Sequence, residues 1–300
     1  MSAKIIDGKS IAEHVLQETQ QGITQFKEKH GVPPGLAFVR VGEDPASVVY
    51  VNSKIKMCER LGIQSQIFVL PENASEQDVI KLVGTLNHQK KVHGILVQSP
   101  LPAHISSDHV FESIFPGKDV DGFHPMNVGK LAVGDPAGFV ACTPAGVHQL
   151  LIRSGIDIPG KHVVVLGRSR IVGKPMALIL MEKGKYADAT VTVCHSRTRD
   201  LKSVMRQADI LIAALGQNRF VKADMVKEGA VVIDVGISRI ADSTKKSGYR
   251  VEGDVDYGPV SEKASWITPV PGGVGPMTIA MLMANTLKAA RLQLSLAPYH

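Results

Sequence analysis

The sequence predicts an α/β protein built of two lobes, and two observations support this fold class. Short apolar segments typical of buried strands alternate along the chain with longer amphipathic segments of helical period. Strands that alternate with single helices form right-handed βαβ units and a parallel sheet. A stretch at 115–143 is rich in Gly, Pro and Asp, lacks a long periodic segment and separates two such series.

The first series contains three helices and three strands. Asp44 is a favoured N-cap, Pro45 is favoured at the first helical position, and Gly62 is a typical helix stop. Ser75 and Asp78 form a capping box. In chain order, the sequence predicts a helix over 9–30, a strand over 36–41, a helix from Asp44 to Gly62, a strand over 65–70, a helix from Ser75 to about Asn87 and a strand over 92–98.

The second series has the element order of a nucleotide-binding, doubly wound sheet. The sequence predicts a helix over 144–154, a strand over 162–166, a helix over 174–184, a strand over 190–194, a helix near 200–207, strands over 210–215 and 231–235, and a helix over 275–292. We therefore expect residues 1–143 plus 276–300 to form one domain and residues 144–275 to form a Rossmann-like NAD(P)-binding domain, with an active-site cleft between them.

Composition and charge exclude several classes of protein. With 44% hydrophobic and 21% charged residues in a chain of 300, disorder is excluded. The net charge of +6 is spread along the chain and aromatic residues make up 5%, so we expect no nucleic-acid partner. The three cysteines are far apart, which predicts reduced thiols and no metal site. No apolar run reaches membrane-spanning length, so we expect a soluble, cytoplasmic protein without a membrane partner.

A glycine turn follows the first strand of the second series. Gly167 and Gly173 would let the backbone approach a pyrophosphate, and the helix that follows would offer free N–H groups. Where NAD-binding lobes carry an acid, at the end of the next strand, this chain has Ser196 and Arg197. Together with Arg168, these residues favour the 2′-phosphate of NADP over NAD. The alternative is an ordinary βα turn beside a solvated loop.

Candidate catalytic residues lie in the first series and near the last helix. Tyr50 and Lys54 share one helix face, and Gln98 ends a buried strand, where α/β folds place their chemistry. Asp121 lies in an Asp- and Gly-rich loop, and 269–278 is too rich in Gly and Pro to pack as a regular element. Each feature also has a structural interpretation: a solvated lysine, an amide that caps a loop, a turn, or a rigid connector.

Five motifs occur together in the order and spacing of one family. They are Y-V-N-S-K at 50–54, V-Q-S-P-L-P at 97–102, K-D-V-D-G-F at 118–123, G-R-S-R-I-V-G-K-P at 167–175 and P-G-G-V-G-P-M-T at 271–278. Nearly end to end, the chain resembles the bifunctional methylenetetrahydrofolate dehydrogenase/methenyltetrahydrofolate cyclohydrolase family. The resemblance implies NADP-dependent oxidation of 5,10-methylenetetrahydrofolate, followed by hydrolysis of the 5,10-methenyl product to 10-formyltetrahydrofolate.

The same resemblance implies roles for individual residues and a biological setting. Lys54 matches the catalytic lysine, Gln98 its hydrogen-bonding partner, Asp121 the carboxylate that binds the pterin ring, and Tyr50 the residue that stacks beside the folate. Further implied folate-binding residues are Val97, Ser99, Pro100, Leu101, Pro271, Gly272, Gly273 and Val274. Implied NADP-binding residues are Thr143, Gly167, Arg168, Ser169, Ser196, Arg197, Ile237 and Thr278. The family also implies a homodimer acting on tetrahydrofolate derivatives, polyglutamylated forms included, in one-carbon metabolism that supplies purine, methionine and histidine biosynthesis.

Two other functions are compatible with parts of the sequence. A dinucleotide-dependent dehydrogenase of the amino-acid or shikimate type would share the turn at Gly167 but has no reason to carry the 271–278 motif. An RNA-binding or scaffold protein would need clustered Lys and Arg with exposed aromatic residues, and the sequence shows neither.

Overall fold

The computed structural model of the chain describes residues 2–245 and 248–295. Its strands are, in chain order, β1 (Lys4–Ile5), β2 (Gly35–Val41), β3 (Gln64–Leu70), β4 (Gly94–Val97), β5 (His162–Leu166), β6 (Thr190–Cys194), β7 (Ile210–Ala213), β8 (Val231–Asp234), β9 (Ser238–Ala241), β10 (Tyr249–Glu252) and β11 (Trp266–Ile267). Its α-helices are α1 (Gly8–His30), α2 (Pro45–Leu61), α3 (Glu76–His88), α4 (Ser107–Ser113), α5 (Pro125–Ala132), α6 (Cys142–Arg153), α7 (Gly173–Met181), α8 (Leu201–Met205), α9 (Tyr257–Ser261) and α10 (Val274–Ser295).

The chain forms two compact units, each with its own parallel sheet, which confirms the predicted α/β class. The three-stranded unit comprises Glu13–Cys142 and Ile279–His300, and the six-stranded unit comprises Met1–Ala12 and Thr143–Thr278. None of the helices within the described residues combines the length and apolarity needed to cross a membrane.

Local capping sets the ends of the helices in the three-stranded unit, as predicted. The Asp44 carboxylate accepts a hydrogen bond from the Ser47 N–H at 2.7 Å, and Gly62 ends α2 in the left-handed conformation at φ 79°. Ser75 and Asp78 exchange both hydrogen bonds of a capping box at the start of α3. These ends depend on neighbours in sequence, which is why sequence alone predicts them.

The sheet of the three-stranded unit has the order β3-β2-β4, with every pairing parallel. All residues of the central strand β2 are buried. Ala37, Val39 and Val97 pack with apolar side chains of α3 and α4 in one core. The core holds the carboxyl end of β4 firmly, and the next residue, Gln98, donates its N–H to the Val39 carbonyl at 2.8 Å. Gln98 is therefore held at the carboxyl ends of the strands, where ligands bind in α/β folds.

Lys118 is a buried structural cation that caps α3 from a distant part of the chain. Its Nζ donates to the carbonyls of Leu86 at 3.1 Å and Gln89 at 2.8 Å, at the carboxyl end of that helix. Burial lowers the pKa of the Lys118 ammonium to about 8. The K-D-V-D-G-F loop is thus tied at its first residue to the end of α3.

The sheet of the six-stranded unit has the order β1-β11-β8-β7-β5-β6, again with parallel pairing throughout. From β5 the chain continues to β6 on one side and then to β7 and β8 on the other. Doubly wound sheets bind ligands at such a switch point, beside the carboxyl ends of the strands. Val164, Leu211 and Val232 from these central strands share one buried core.

The structure corrects the predicted domain boundary at the amino terminus. The prediction assigned all of residues 1–143 to one domain, but β1 pairs in parallel with β11, Lys4 opposite Trp266 and Ile5 opposite Ile267. Met1–Ala12 accordingly belong to the six-stranded unit. A two-residue strand has too short a pattern to be recognised from sequence, and its partner lies at the other end of the chain.

Three further differences are confined to single elements or pairs of elements. The predicted strand 210–215 ends at Ala213, because the Leu215 N–H donates to a side-chain carboxylate, that of Asp254, instead of to a neighbouring strand. The antiparallel pair β9 and β10 was not predicted, and its register joins Ser238 to Glu252. The helix predicted over 174–184 ends three residues early, at Met181.

Candidate functional site

Lys54 and Gln98 form the centre of a candidate site in the three-stranded unit. Lys54 lies on α2, one turn after Tyr50, and Gln98 follows β4. The Lys54 Nζ lies 3.1 Å from the Gln98 Oε1, and both residues are half-buried. The Gln98 amide nitrogen donates to the Ser99 carbonyl, which leaves the amide oxygen directed at the lysine. The pair is therefore a positioned amine held by a neutral acceptor.

Asp121 is the third polar group of this site. Burial raises the pKa of the Asp121 carboxyl to about 6, and the nearby Lys54 cation opposes that rise while Asp119 adds to it. Cys142 packs against Asp121, and burial also raises the pKa of this thiol well above its usual range. The Asn285 side-chain amide donates to the Val120 carbonyl at 2.9 Å and so stabilises the loop that contains Asp121.

Asp119 has a different task from Asp121, although both belong to one motif. Its buried carboxylate accepts hydrogen bonds from four donors, and these are the backbone N–H groups of Gly122 (3.1 Å), Phe123 (3.2 Å) and His124 (2.8 Å) and the side-chain amide of Asn127 (2.8 Å). Gly122 has φ 74°, and a Cβ there would lie 2.6 Å from the Ala141 nitrogen. Asp119 thus shapes the turn that presents Asp121.

The predicted folate-binding residues differ in how much side chain they expose. Val97 packs its side chain in the core of the unit, so only its backbone can contact a ligand. Leu101 packs partly against the same core, whereas Ser99 and Pro100 are exposed. Tyr50 exposes 43% of its surface.

Pro271, Gly272, Gly273 and Val274 lie in the six-stranded unit, in a tight turn that leads into α10. The Gly273 N–H donates to the Pro269 carbonyl at 2.8 Å. A Cβ on Gly8 would lie 1.7 Å from the Gly273 oxygen, so two backbone segments touch here without side chains between them. The hydroxyl of Thr278, on α10, lies 3.0 Å from the hydroxyl of Thr143, on α6.

The predicted phosphate-binding turn lies at the carboxyl end of β5. Gly167 has φ 113°, and a Cβ there would lie 2.4 Å from the Ala214 carbonyl oxygen. A Cβ on Gly173 would lie 2.1 Å from the Gly167 oxygen. The Ser169 hydroxyl accepts hydrogen bonds from the N–H groups of Val172 at 3.1 Å and Gly173 at 3.4 Å. The turn therefore packs against neighbouring backbone so closely that only glycine fits at positions 167 and 173.

Ser196 and Arg197 lie, like this turn, beyond the carboxyl ends of the strands, which is called the carboxyl edge of the sheet below. The parallel register joins Leu166 to Cys194, so β5 and β6 end together. The Arg197 N–H donates to the His195 Nδ1 at 3.1 Å, which shapes the loop, and the side chains of Ser196 and Arg197 are exposed. Arg168 and Ile237 are exposed as well, Ile237 after β8. The structure thus brings the predicted NADP-binding residues Gly167 to Ser169, Ser196, Arg197 and Ile237 to one edge.

Sequence reasoning missed two buried aspartates beneath these loops. The Asp254 carboxylate accepts hydrogen bonds from three successive backbone N–H groups, those of Leu215 (2.6 Å), Gly216 (3.0 Å) and Gln217 (2.7 Å). The Asp234 carboxylate accepts from those of Gly236, Asp254 and Val255, each at 2.9 Å. Burial raises the pKa of Asp234 to about 6. The Gly-Asp pair at 253–254 was the available signal, but it resembles any turn.

Family models match most of the chain. The model described as tetrahydrofolate dehydrogenase/cyclohydrolase, catalytic domain, matches residues 6–121, and the one described as tetrahydrofolate dehydrogenase/cyclohydrolase, NAD(P)-binding domain, matches residues 141–294. The chain belongs to the tetrahydrofolate dehydrogenase/cyclohydrolase family. The resemblance inferred from the five motifs is therefore confirmed, and both alternative functions are set aside.

Relatives of this tetrahydrofolate dehydrogenase/cyclohydrolase match it over nearly its full length. It is 56% identical over 291 residues to the bifunctional protein FolD of Dehalococcoides mccartyi strain CBDB1, which covers 97% of this chain and 98% of the relative. It is 52% identical over 286 residues to the bifunctional protein FolD of Chloroherpeton thalassium, covering 95% of this chain and 97% of the relative.

Solved structures of the family share the fold. The bifunctional enzyme FolD of Campylobacter jejuni, a methylenetetrahydrofolate dehydrogenase/cyclohydrolase, matches with a TM-score of 0.91 and 49% identity, covering 97% of this chain and all (100%) of that chain. The Trypanosoma brucei methylenetetrahydrofolate dehydrogenase-cyclohydrolase, complexed with NADP cofactor and inhibitor, matches with a TM-score of 0.92 and 39% identity, covering 98% of this chain and 99% of that chain. The predicted Rossmann-like character of the second sheet is thereby confirmed.

The electrostatic coupling between Lys54 and Asp121 is directly measurable. In the free protein, the Asp121 carboxyl should titrate near pH 6, and Lys54→Met should move its midpoint upward, because the cation that opposes the rise is removed. Carbon-13 NMR of aspartate carboxyls, assigned with Asp121→Asn, measures this. Lys56→Met, at an exposed position on the same helix, is the control and should leave the midpoint unchanged. An unchanged midpoint in Lys54→Met would contradict the electrostatic coupling between Lys54 and Asp121.

Proposed function

We propose that this enzyme oxidises 5,10-methylenetetrahydrofolate with NADP and hydrolyses the 5,10-methenyl product to 10-formyltetrahydrofolate. The observation that carries the proposal is the arrangement of Lys54, Gln98 and Asp121, an amine held by a neutral amide near a half-buried carboxylate. These are the residues that the family motifs implied. One-carbon units in this form would serve purine, methionine and histidine biosynthesis.

Asp121 is suited to bind the pterin ring. In its charged form, a carboxylate accepts paired N–H donors, as the 2-amino edge of a pterin offers, and such charge-assisted pairs are strong. Asp119 uses its own oxygens on the turn, which leaves Asp121 as the acceptor for a ligand. Tyr50 would stack on the folate one helical turn from Lys54, and Ser99 and Pro100 would form part of the wall.

Lys54 is suited to the hydrolytic step. In its unprotonated form, the amine takes a proton from water as the water oxygen bonds to the methenyl carbon. The bond from that carbon to N5 then breaks, N5 takes a proton, the formyl group remains on N10, and one proton leaves to solvent. Gln98 holds the amine through a neutral oxygen, so it adds no negative charge that would favour the ammonium form.

Lys54→Met should lower cyclohydrolase turnover by roughly 10²–10⁴-fold, the usual worth of a positioned acid–base group. Gln98→Ala should also lower cyclohydrolase turnover, because the Lys54 amine loses its hydrogen-bond partner. The dehydrogenase step should fall less, since it depends mainly on alignment of the methylene carbon. The two activities are measured separately on each variant by methenyl absorbance.

Two variants complete this experiment. Asp121→Ala should weaken folate binding in both steps, because its role is binding. Lys56→Met, an exposed lysine on the same helix, should keep both activities. Near-normal hydrolysis in Lys54→Met would end the general-base assignment and leave Lys54 as a partly solvated helix lysine.

NADP fits the loops at the carboxyl edge of the six-stranded sheet. Gly167 and Gly173 stand where a Cβ would meet the protein's own backbone, so they allow the tight turn before α7, whose first N–H groups would bind phosphates. Arg168, Ser196 and Arg197 are exposed at this edge, where an acid would repel a 2′-phosphate. When bound, NADP would accept the hydride from the methylene carbon.

The choice of NADP over NAD is tested by kcat/KM for the two cofactors. Arg197→Ala should lower the NADP-to-NAD ratio by about 10- to 100-fold, since a hydrogen bond to a charged group is worth roughly 1.5–3 kcal/mol. Arg199→Ala removes an exposed arginine two residues further on and should keep the ratio. Equal efficiency with NAD in the unaltered enzyme would reject the assignment.

We also propose that the enzyme is a homodimer, and the free edge of β3 supports this. β3 is the outer strand of its sheet, beside β2, and exposes Ile67 and Val69 to 43% and 45%. Exposed, apolar edge strands pair readily with another chain. Sedimentation should give twice the chain mass of 32.2 kDa, and Ile67→Lys with Val69→Lys should give the monomer. Val133→Lys, at a residue exposed to 80%, is the control, and a monomeric unaltered enzyme would refute the proposal.

We place the enzyme in the cytoplasm, where its free, buried cysteines Cys58, Cys142 and Cys194 would stay reduced. Its substrates would include polyglutamylated tetrahydrofolates.

A further inference from the structure

The loop that follows β7 is held by one buried side chain. Both oxygens of Asp254 accept hydrogen bonds, and the donors are the three successive N–H groups of residues 215–217. Asp254 itself is fully buried. Three backbone donors that converge on one carboxylate cannot move independently, so the loop has one preferred conformation.

This loop lies directly on the proposed phosphate-binding turn. The Ala214 N–H donates to the Leu166 carbonyl at 3.0 Å, and a Cβ on Gly167 would lie 2.4 Å from the Ala214 oxygen. The backbone of the loop is therefore the wall against which Gly167 is packed. A shift of the loop would change where the turn presents its N–H groups.

A second aspartate locks Asp254 in place and links it to another loop. The Asp234 carboxylate accepts from the N–H of Asp254 and from that of Gly236, the residue before Ile237. A Cβ on Gly236 would lie 2.3 Å from an Asp254 oxygen, and a Cβ on Gly253 would lie 1.9 Å from an Asp234 oxygen. The loops after β7 and β8 are thus joined through two carboxylates and two glycines.

We propose that Asp254 is a positioning residue for the nucleotide: it pre-forms the turn at Gly167 and the approach to Ile237 before NADP arrives. The proposal rests on the proposed use of NADP. Asp254 is buried beneath its loop and acts through the backbone, not through contact with the cofactor. Pre-formed donors bind more tightly than donors that must first be ordered.

The test compares Asp254→Asn with Asp209→Asn in the full-length enzyme. Asp209 lies at the opposite end of the same sheet, where the strands begin. Its carboxylate accepts a hydrogen bond from the His162 N–H at 2.9 Å and forms a salt bridge with Lys227. Asparagine at 254 keeps the side-chain shape but turns an NH₂ group toward N–H donors. Isothermal titration measures the NADP Kd, hydrogen exchange follows the amides of residues 215–217, and hydrolysis of methenyltetrahydrofolate is assayed without NADP.

Asp254→Asn should raise the NADP Kd at least 10-fold and speed exchange of the three amides, while hydrolysis without NADP changes less than twofold. Asp209→Asn should leave the NADP Kd and those amides unchanged. If Asp254→Asn does not fold, Gly216→Ala replaces it. Gly216 has φ 68° and open space around it, so alanine strains the loop while Asp254 stays in place. This variant should change the Kd and exchange in the same direction.

Each other outcome overturns the inference. Faster exchange with an unchanged NADP Kd would make Asp254 a structural residue only, while the proposed oxidation with NADP would stand. Equal loss of NADP binding and hydrolysis would indicate general damage rather than positioning. An unaltered enzyme that binds no NADP would overturn both this inference and the proposed cofactor.

Discussion

Both candidate sites depend on buried carboxylates that accept several backbone N–H groups. In the three-stranded unit, Asp119 gathers the N–H groups that follow it and forms the turn that presents Asp121. In the six-stranded unit, Asp254 and Asp234 do the same for the loops after β7 and β8. Loops that follow the carboxyl ends of strands have no neighbouring strand to accept hydrogen bonds from their backbone N–H groups. A buried carboxylate accepts these hydrogen bonds instead.

This arrangement separates the groups that hold structure from the groups that remain for chemistry. Asp119 and Asp121 lie two residues apart, yet Asp119 makes its hydrogen bonds within the protein while Asp121 stands beside Lys54. Lys118 and Lys54 differ in the same way, since Lys118 donates to carbonyls at the end of α3 and Lys54 to the side chain of Gln98. Residue type alone does not distinguish the members of either pair.

Close packing around four glycines is the second constraint. Gly167, Gly173, Gly236 and Gly253 each stand where an added Cβ would lie within 2.4 Å of another atom. Three of these contacts involve the loops that Asp254 and Asp234 hold, and the fourth is internal to the turn. The loops where we propose that the nucleotide binds are therefore packed so closely that these four positions have no room for a side chain.

By itself, the sequence determined the α/β class, the capped ends of α2 and α3, the strand rhythm of both sheets and, through its motifs, the family. These features depend on neighbours in the chain or on patterns that repeat along it. Tertiary structure alone decided that β1 joins the second sheet and that Asp234 and Asp254 bind backbone N–H groups of distant loops. Those outcomes depend on residues far apart in sequence, whose N–H groups and side chains meet only when the parallel strands are laid side by side.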